Sequence, residues 1–169
     1  MRIIEQFSGI KQFVKGIDHI AVAVNSLDDA ITLYTTLFRF DVIEKRETKG
    51  EFSGMISATM VLGGVTFVFV QATSKQSNVS QYIKHYGTGI QHVALQVKNI
   101  SAVYKTLKDN GVEFLSDIIT GENLYQAFTI RDKNSGLMIE LIERGDVSNN
   151  FSDDNVQKLF ESMERLGVY

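Results

Sequence analysis

The chain has 169 residues, of which 44% are hydrophobic and 22% charged, and its net charge is −3 at pH 7. This composition is typical of one globular domain, and the basic residues are scattered rather than clustered as in nucleic-acid binders. The sequence contains no cysteine, which excludes disulfides, thiolate metal ligands and a cysteine nucleophile. No apolar run reaches the roughly 20 residues of a membrane helix, and the N-terminus has no continuous apolar signal segment. We therefore expect a cytoplasmic protein without a nucleic-acid or membrane partner.

The first part of the chain predicts a strand, a helix and three more strands. Residues 15–24, KGIDHIAVAV, have the pattern of a strand and contain His19. Residues 25–40 carry apolar side chains at helical spacing after a polar N-cap. Three strand-like segments follow, two of them separated by a hairpin turn at Gly63-Gly64. This first βαβββ module covers about residues 15–75.

The same pattern returns in the second part of the chain. The segment GTGIQHVALQV places His92 at an offset of 92 − 19 = 73 residues from His19, and glycine, isoleucine, alanine and valine positions around the two histidines also match. A second amphipathic helix at residues 99–114 and three strand-like segments complete a module of about residues 87–145. A C-terminal helix is expected at about residues 153–166.

The repeat determines the expected fold class. Neither module is long enough to bury its own sheet, so we expect residues 1–169 to form a single domain. The class is α+β, with two tandem βαβββ modules forming a cupped, barrel-like mixed sheet and one C-terminal helix beside it.

Both histidines lie on the less bulky face of their predicted strands. Alternation places His19 and His92 with small alanines, opposite the aliphatic side chains that would pack against the helices. Glu140 lies between Ile139 and Leu141 in the last strand, and an unpaired buried carboxylate would require a cation. A lone strand histidine is more often an ordinary core residue, but two at equivalent positions of a repeat favour a metal site. We therefore predict that His19, His92 and Glu140 bind a divalent metal from one side.

The contexts of these residues resemble the vicinal oxygen chelate superfamily. The segments IDH (17–19), GIQHVAL (89–95) and IELIER (139–144) are similar to ligand motifs in the catalytic C-terminal half of the 4-hydroxyphenylpyruvate dioxygenase and hydroxymandelate synthase family. The likeness extends over nearly the whole chain, without the N-terminal half of that family. It implies a non-haem Fe(II) dioxygenase that decarboxylates and hydroxylates a 2-oxo acid resembling 4-hydroxyphenylpyruvate, using dioxygen. The same donor types also accept zinc, cobalt or nickel.

The resemblance further implies a set of substrate contacts. Gln126 and Phe128, in the segment YQAFT, match family positions that face the substrate, and Gln91 matches a family glutamine. No catalytic residue beyond the metal site is implied. The remaining matched positions are Ser57, Gln71 (in place of an asparagine), Asn78 (in place of a glutamine) and Asn155. Strict alternation points Gln91 away from His92, so a bulge or twist is needed to bring both into one site.

Two other functions remain open on this scaffold. One is a metal-dependent epimerase or a glyoxalase-type isomerase or lyase, which would take a fourth ligand from the strand near residues 65–72. The aligned residue is Phe69, which cannot bind a metal, whereas Gln71 has the same parity and can. The other is a non-catalytic small-molecule binding protein. Without the family's N-terminal half, a surface is also left for a homodimer.

Overall fold

The computed structural model describes residues 9–51, 53–121, 123–145, 157, 160 and 161. Within these residues one curled mixed sheet of eight strands carries three α-helices, as expected for the α+β class. The elements in chain order are a 3₁₀ helix (Lys11–Phe13), β1 (Val14–Ala23), α1 (Leu27–Thr36), β2 (Asp41–Lys49), β3 (Gly54–Leu62), β4 (Val65–Ala72), α2 (Asn78–Tyr86), β5 (Gly89–Val97), α3 (Ile100–Asp109), β6 (Ile119–Gly121), β7 (Leu124–Phe128) and β8 (Ile139–Arg144).

The two halves of the sheet join along β1 and β5. The strand order is β2-β3-β4-β1-β5-β8-β7-β6, so each half contributes four strands. β1 is antiparallel to β5, whereas β1 is parallel to β4 and β5 is parallel to β8. The strands that carry the two histidines are therefore neighbours in the middle of the sheet.

A contact between β8 and the start of α3 shows which side chains of β8 face the helices. The carboxylate of Glu143 accepts hydrogen bonds from the backbone N–H groups of Asn99 and Ile100, at 2.8 and 2.7 Å. A helix N-terminus leaves N–H groups without intrahelical partners and favours negative charge, so this contact stabilises the helix start. Because side chains alternate along a strand, Glu140 faces the opposite side of the sheet from Glu143.

Helices α1 and α3 cover one face of the sheet with two apolar clusters. Phe69 of β4 and Met60 of β3 are fully buried with α1, and Leu141 of β8 is fully buried with Val103 of α3. The bulky aliphatic and aromatic side chains thus occupy the helix-covered face, as alternation predicts. The opposite face of the sheet is left with smaller and more polar residues.

The remaining elements include one helix that the sequence did not predict and one predicted hairpin that is confirmed. Helix α2 (Asn78–Tyr86) was not expected, whereas the hairpin at Gly63-Gly64 is confirmed, with φ of 57° and 80°. These left-handed values suit glycine and a two-residue turn. Asn155 and most of the helix expected at about residues 153–166 lie outside the described residues; Gln157, Phe160 and Glu161 are helical. No helix in the described ranges has the length and apolar character that membrane crossing requires.

Candidate metal centre and its cavity

A β-bulge precedes each of the two strand histidines. The β1–β5 register passes over Asp18, immediately before His19, and over Gln91, immediately before His92. A bulge leaves one residue without a partner across the ladder and redirects the neighbouring side chains. As a result Gln91 and His92 line the same cavity, although strict alternation would place them on opposite faces.

Three side chains from adjacent strands meet in a nearly equilateral triangle. Nε2 of His19 lies 3.3 Å from Nε2 of His92, and Oε2 of Glu140 lies 3.3 and 3.2 Å from these two nitrogens. With ligands at about 2.1 Å, octahedral geometry needs edges of about 3.0 Å and tetrahedral geometry about 3.4 Å. The observed distances of 3.2–3.3 Å fall between these values. Among the described residues, His19, His92 and Glu140 are the side chains whose ligand atoms are spaced to bind one metal ion.

The surroundings of Glu140 show that the triangle needs a positive charge. The residue is 1% exposed, and its Oε1 accepts a 2.6 Å hydrogen bond from Nε2 of Gln126. Its Oε2 is buried and accepts no hydrogen bond among the described residues. A buried carboxylate oxygen without a donor is costly, so a proton on a histidine or a metal cation must lie beside it. The donor set and this oxygen both fit a divalent metal ion.

The residues at the two bulges set the tautomers of the histidines. Oδ1 of Asp18 lies 2.9 Å from Nδ1 of His19, and Oε1 of Gln91 lies 2.7 Å from Nδ1 of His92. Both oxygens are acceptors, so each ring carries a hydrogen on Nδ1. In the neutral form of either ring, Nε2 therefore presents its lone pair to the triangle, as a metal ligand must.

The pKa values of the three groups are coupled through their shared burial and charge. Burial lowers the pKa of His19, but the Glu140 carboxylate and the hydrogen bond with Asp18 outweigh it and raise this pKa to about 9. Burial lowers the pKa of His92, and the nearby Glu140 carboxylate does not reverse the effect. Burial acts to raise the pKa of Glu140, but the charge on His19 keeps it below its ordinary value. In the metal-free protein at neutral pH, His19 is therefore the member of the triangle that carries an additional proton and a positive charge.

The triangle lies in the wall of a cavity to which both halves of the sheet contribute. Gln91 and Gln126 line it beside the three predicted ligands, and Ser57 and Asn78 line it from the first half. The buried Nδ2 of Asn78 donates to no acceptor within the described residues, so it is a donor that a bound molecule can satisfy. The other side chains of the wall are Ala21, Glu44, Arg46, Met55, Thr59, Val68, Val70, Val79 and Phe160.

Two predicted substrate contacts lie elsewhere. Phe128 is 1% exposed, and its ring meets the ring of His92 edge to face with centroids 5.3 Å apart. Phe128 therefore packs behind His92. It is not among the described residues that line the cavity. Gln71 accepts a 2.6 Å hydrogen bond from the backbone N–H of Leu27, at the start of α1. Its side chain thus serves the helix on the other face of the sheet.

The position of a fourth ligand from β4 also has to be corrected. Alternation along β4 places Val68 and Val70 in the cavity wall, and Phe69 and Gln71 beneath α1. Val68 pairs with Ala21 in the first half in the way that Glu140 pairs with Ala94 in the second. The structural counterpart of Glu140 is therefore Val68 rather than Phe69, and valine cannot bind a metal. Gln71 lies on the opposite face, where it accepts the N–H of Leu27, so it is not placed to bind the same ion.

Sequence reasoning missed three charged residues of the site. Asp18 belongs to the segment IDH, but regular alternation would have turned it away from His19. Glu44 and Arg46, whose side chains form a 2.7 Å ion pair, both line the cavity from β2. Their spacing of two residues in a strand places them on one face, which was the available signal.

Comparison with known proteins identifies the family. Residues 16–141 match the model of the Glyoxalase/Bleomycin resistance protein/Dioxygenase superfamily. The chain belongs to this superfamily. The match covers both halves of the sheet and all three corners of the triangle, and it agrees with the resemblance to vicinal oxygen chelate proteins.

Curated relatives of this superfamily member include two dioxygenases. The 4-hydroxyphenylpyruvate dioxygenase of Pseudomonas aeruginosa is 29% identical over 129 residues, which are 73% of this chain and 35% of that protein. The protein of the same name from Legionella pneumophila (strain Corby) is 24% identical, over 88% of this chain and 53% of that protein. The chain thus spans about a third to a half of the length of these relatives.

Solved structures of the superfamily share the fold. A variant of 4-hydroxymandelate synthase from Streptomyces coelicolor has a TM-score of 0.77 at 23% identity, over 88% of this chain and 53% of that one. Methylmalonyl-CoA epimerase from Mycobacterium tuberculosis has a TM-score of 0.68 at 22% identity, over 82% of this chain and 91% of that one. This chain therefore shares its fold with a hydroxymandelate synthase and with an epimerase.

Proposed function

We propose that this chain is a non-haem Fe(II)-dependent dioxygenase that decarboxylates and hydroxylates a 2-oxo acid resembling 4-hydroxyphenylpyruvate. The observation that supports it most is the buried Oε2 of Glu140, which accepts no hydrogen bond in the described part of the chain and lies 3.2–3.3 Å from the Nε2 atoms of His19 and His92. Two imidazoles and one carboxylate, with the other side of the site open to a cavity, are typical of such iron enzymes. The dioxygenases among the relatives support the same assignment.

The three ligands would hold the ion from one side of the cavity. Bound Fe(II) supplies a Lewis-acidic centre that orients a 2-oxo acid and activates dioxygen. Gln126 fixes Oε1 of Glu140 by its 2.6 Å hydrogen bond, so that Oε2 faces the two histidines. Because the first half has Val68 at the position equivalent to Glu140, it leaves that side of the site for substrate.

The remaining wall suits an organic acid with an apolar body. Met55, Val79 and Phe160 provide apolar surface that excludes water, while Nδ2 of Asn78 can donate to a carbonyl, carboxylate or hydroxyl oxygen. In the overall reaction the substrate loses carbon dioxide. One atom of dioxygen enters the new carboxylate and the other forms the hydroxyl group, so no external reductant is needed.

Anaerobic spectroscopy tests this proposal. Metal-free protein would be loaded with Fe(II) without oxygen, mixed with 4-hydroxyphenylpyruvate or phenylpyruvate, and examined for the visible charge-transfer band of a bidentate 2-oxo acid. Oxygen uptake and carbon dioxide release would then be measured. We expect His92→Ala to lose stoichiometric iron, the band and the turnover. The matched control is His85→Ala, because His85 is exposed on α2 and should leave all three unchanged.

The isomerase or lyase interpretation gives a different result in the same protein. Such an enzyme needs a group that removes a proton from carbon, and in the described cavity wall the carboxylate outside the triangle is Glu44. The Glu44 carboxylate is engaged in its 2.7 Å ion pair with Arg46. Exchange of deuterium from solvent into methylmalonyl-CoA, without oxygen uptake or a charge-transfer band, would favour this interpretation. Metal binding without either reaction would favour a binding protein.

A further inference from the structure

Two arginines from the second half of the chain contact the two bulges. Nε and Nη2 of Arg144, the last residue of β8, donate to Oδ2 and Oδ1 of Asp18 at 2.7 and 2.8 Å. The two side chains are only 8% and 10% exposed. A guanidinium that donates two parallel hydrogen bonds fixes both the position and the plane of a carboxylate. The carboxylate of Asp18 is thereby held beside Nδ1 of His19.

Arg131 makes an analogous contact at the other bulge. Its Nη2 donates to the backbone carbonyl of Gln91 at 2.8 Å, and its Nη1 donates to the carbonyl of Gly136 at 2.6 Å. The guanidinium also lies 4.9 Å from the ring centres of both Tyr82 and Tyr86, which adds cation–π attraction. These contacts tie the bulge at Gln91 to helix α2 and to the loop before β8.

We propose that Asp18 and Gln91 are positioning residues for the metal centre, and that Arg144 and Arg131 hold them in place. The inference rests on the metal site of the proposed function. Each acceptor acts through the histidine that follows it, keeping a hydrogen on Nδ1 and fixing the rotation of the ring. Gln91 therefore serves the metal ligand His92, in place of the direct substrate contact that the family resemblance implies.

The two positions are equivalent in geometry but differ in charge. Asp18 offers His19 a carboxylate, which makes its imidazole the stronger electron donor, whereas Gln91 offers His92 a neutral amide. Loss of such an outer partner typically weakens metal binding 10–100-fold. Loss of either arginine should have an effect of the same kind, because the acceptor would no longer be fixed.

The test combines an NMR measurement with metal titration. Long-range ¹H–¹⁵N spectra of the metal-free protein at pH 7.5 should show His92 as the Nδ1-H tautomer, and Gln91→Met should shift it towards Nε2-H. Gln91→Met and Arg144→Met should bind Co(II) about 10–100-fold more weakly, with altered visible absorption bands, and Arg144→Lys should partly restore both. Val103→Ala controls for lost stability, since Val103 lies on α3 and is fully buried against the sheet, away from the cavity.

The outcomes separate this inference from the proposed function. An Nε2-H tautomer of His92 in the unmodified protein would overturn the inference without any variant. So would Co(II) affinity and spectra of Gln91→Met and Arg144→Met that match those of Val103→Ala. A wild-type protein that binds no Co(II) would overturn the metal site itself, and the dioxygenase proposal with it. Binding of Co(II) with no 2-oxo acid chemistry would contradict the dioxygenase alone.

Discussion

Metal binding should release a proton and should weaken as the pH falls. The pKa of His19 is about 9, so at pH 7 its Nε2 is protonated in the metal-free protein and a metal ion must displace that proton. Between pH 9 and pH 7 this competition should weaken apparent affinity about 50-fold, equivalent to about 2.3 kcal/mol, with a slope that approaches about 10-fold per pH unit below pH 8. The pKa of His19 in the folded protein lies above the unfolded value of 6.5, so protonation of His19 stabilises the folded, metal-free protein. The linked stability of the metal-free protein is full below 6.5 and is lost as the pH rises through about 9.

Competition titration with Co(II) at constant ionic strength, from pH 6.5 to 8.5, measures the slope. Calorimetry in two buffers with different ionisation enthalpies counts the protons released, and we expect about one per metal ion near pH 7.5. An affinity independent of pH over this range, with no proton release, would refute the assignment of the proton to His19. Urea denaturation of the metal-free protein at pH 7 and pH 9.5 checks the linked loss of stability independently.

Three substitutions test the rest of the site and its support. Gln126→Leu removes the donor to Oε1 of Glu140, and in urea denaturation the metal-free protein should lose about 1–3 kcal/mol; unchanged stability would contradict the role of that hydrogen bond. Gln71→Leu removes the acceptor for the N–H of Leu27, so it should cost about 1 kcal/mol while leaving Co(II) affinity unchanged. A large loss of affinity there would restore Gln71 to the site. Phe69→Ala empties a fully buried position beneath α1 and should lower the free energy of unfolding by about 3–5 kcal/mol, as read from the urea midpoint.

The sheet and the three predicted ligands could be derived from the sequence because they depend on simple periodicities. The repeat places His19 and His92 at matching positions of two strands, and a glutamate inside an apolar strand signals a buried carboxylate. Both signals survive errors of a residue or two in the ends of the strands. The structure brings the nearest ligand atoms of the three side chains to within 3.2–3.3 Å of one another.

The finer features depend on contacts that the sequence does not encode locally. Alternation assumes one residue per rung of the ladder, so it could not predict the bulges that redirect Asp18 and Gln91. Alternation correctly places Gln71 on the same face of β4 as Phe69. Which side of the sheet that face lies on depends on which residues pack beneath α1, and this is set by tertiary contacts. Helix α2 (Asn78–Tyr86) lies between the two predicted modules, so the repeat that predicted the other elements carries no signal for it.

The register that makes Val68 the counterpart of Glu140 has a consequence for how such sites change. A metal centre on the seam between two copies of one module starts with potential ligands from both. One copy can then lose its carboxylate while the ion stays bound through the other, and the vacated positions pass to the substrate. Duplication thus allows the fourth strand of the first half to change with the molecule that is recognised, while His19, His92 and Glu140 stay in place for an ion.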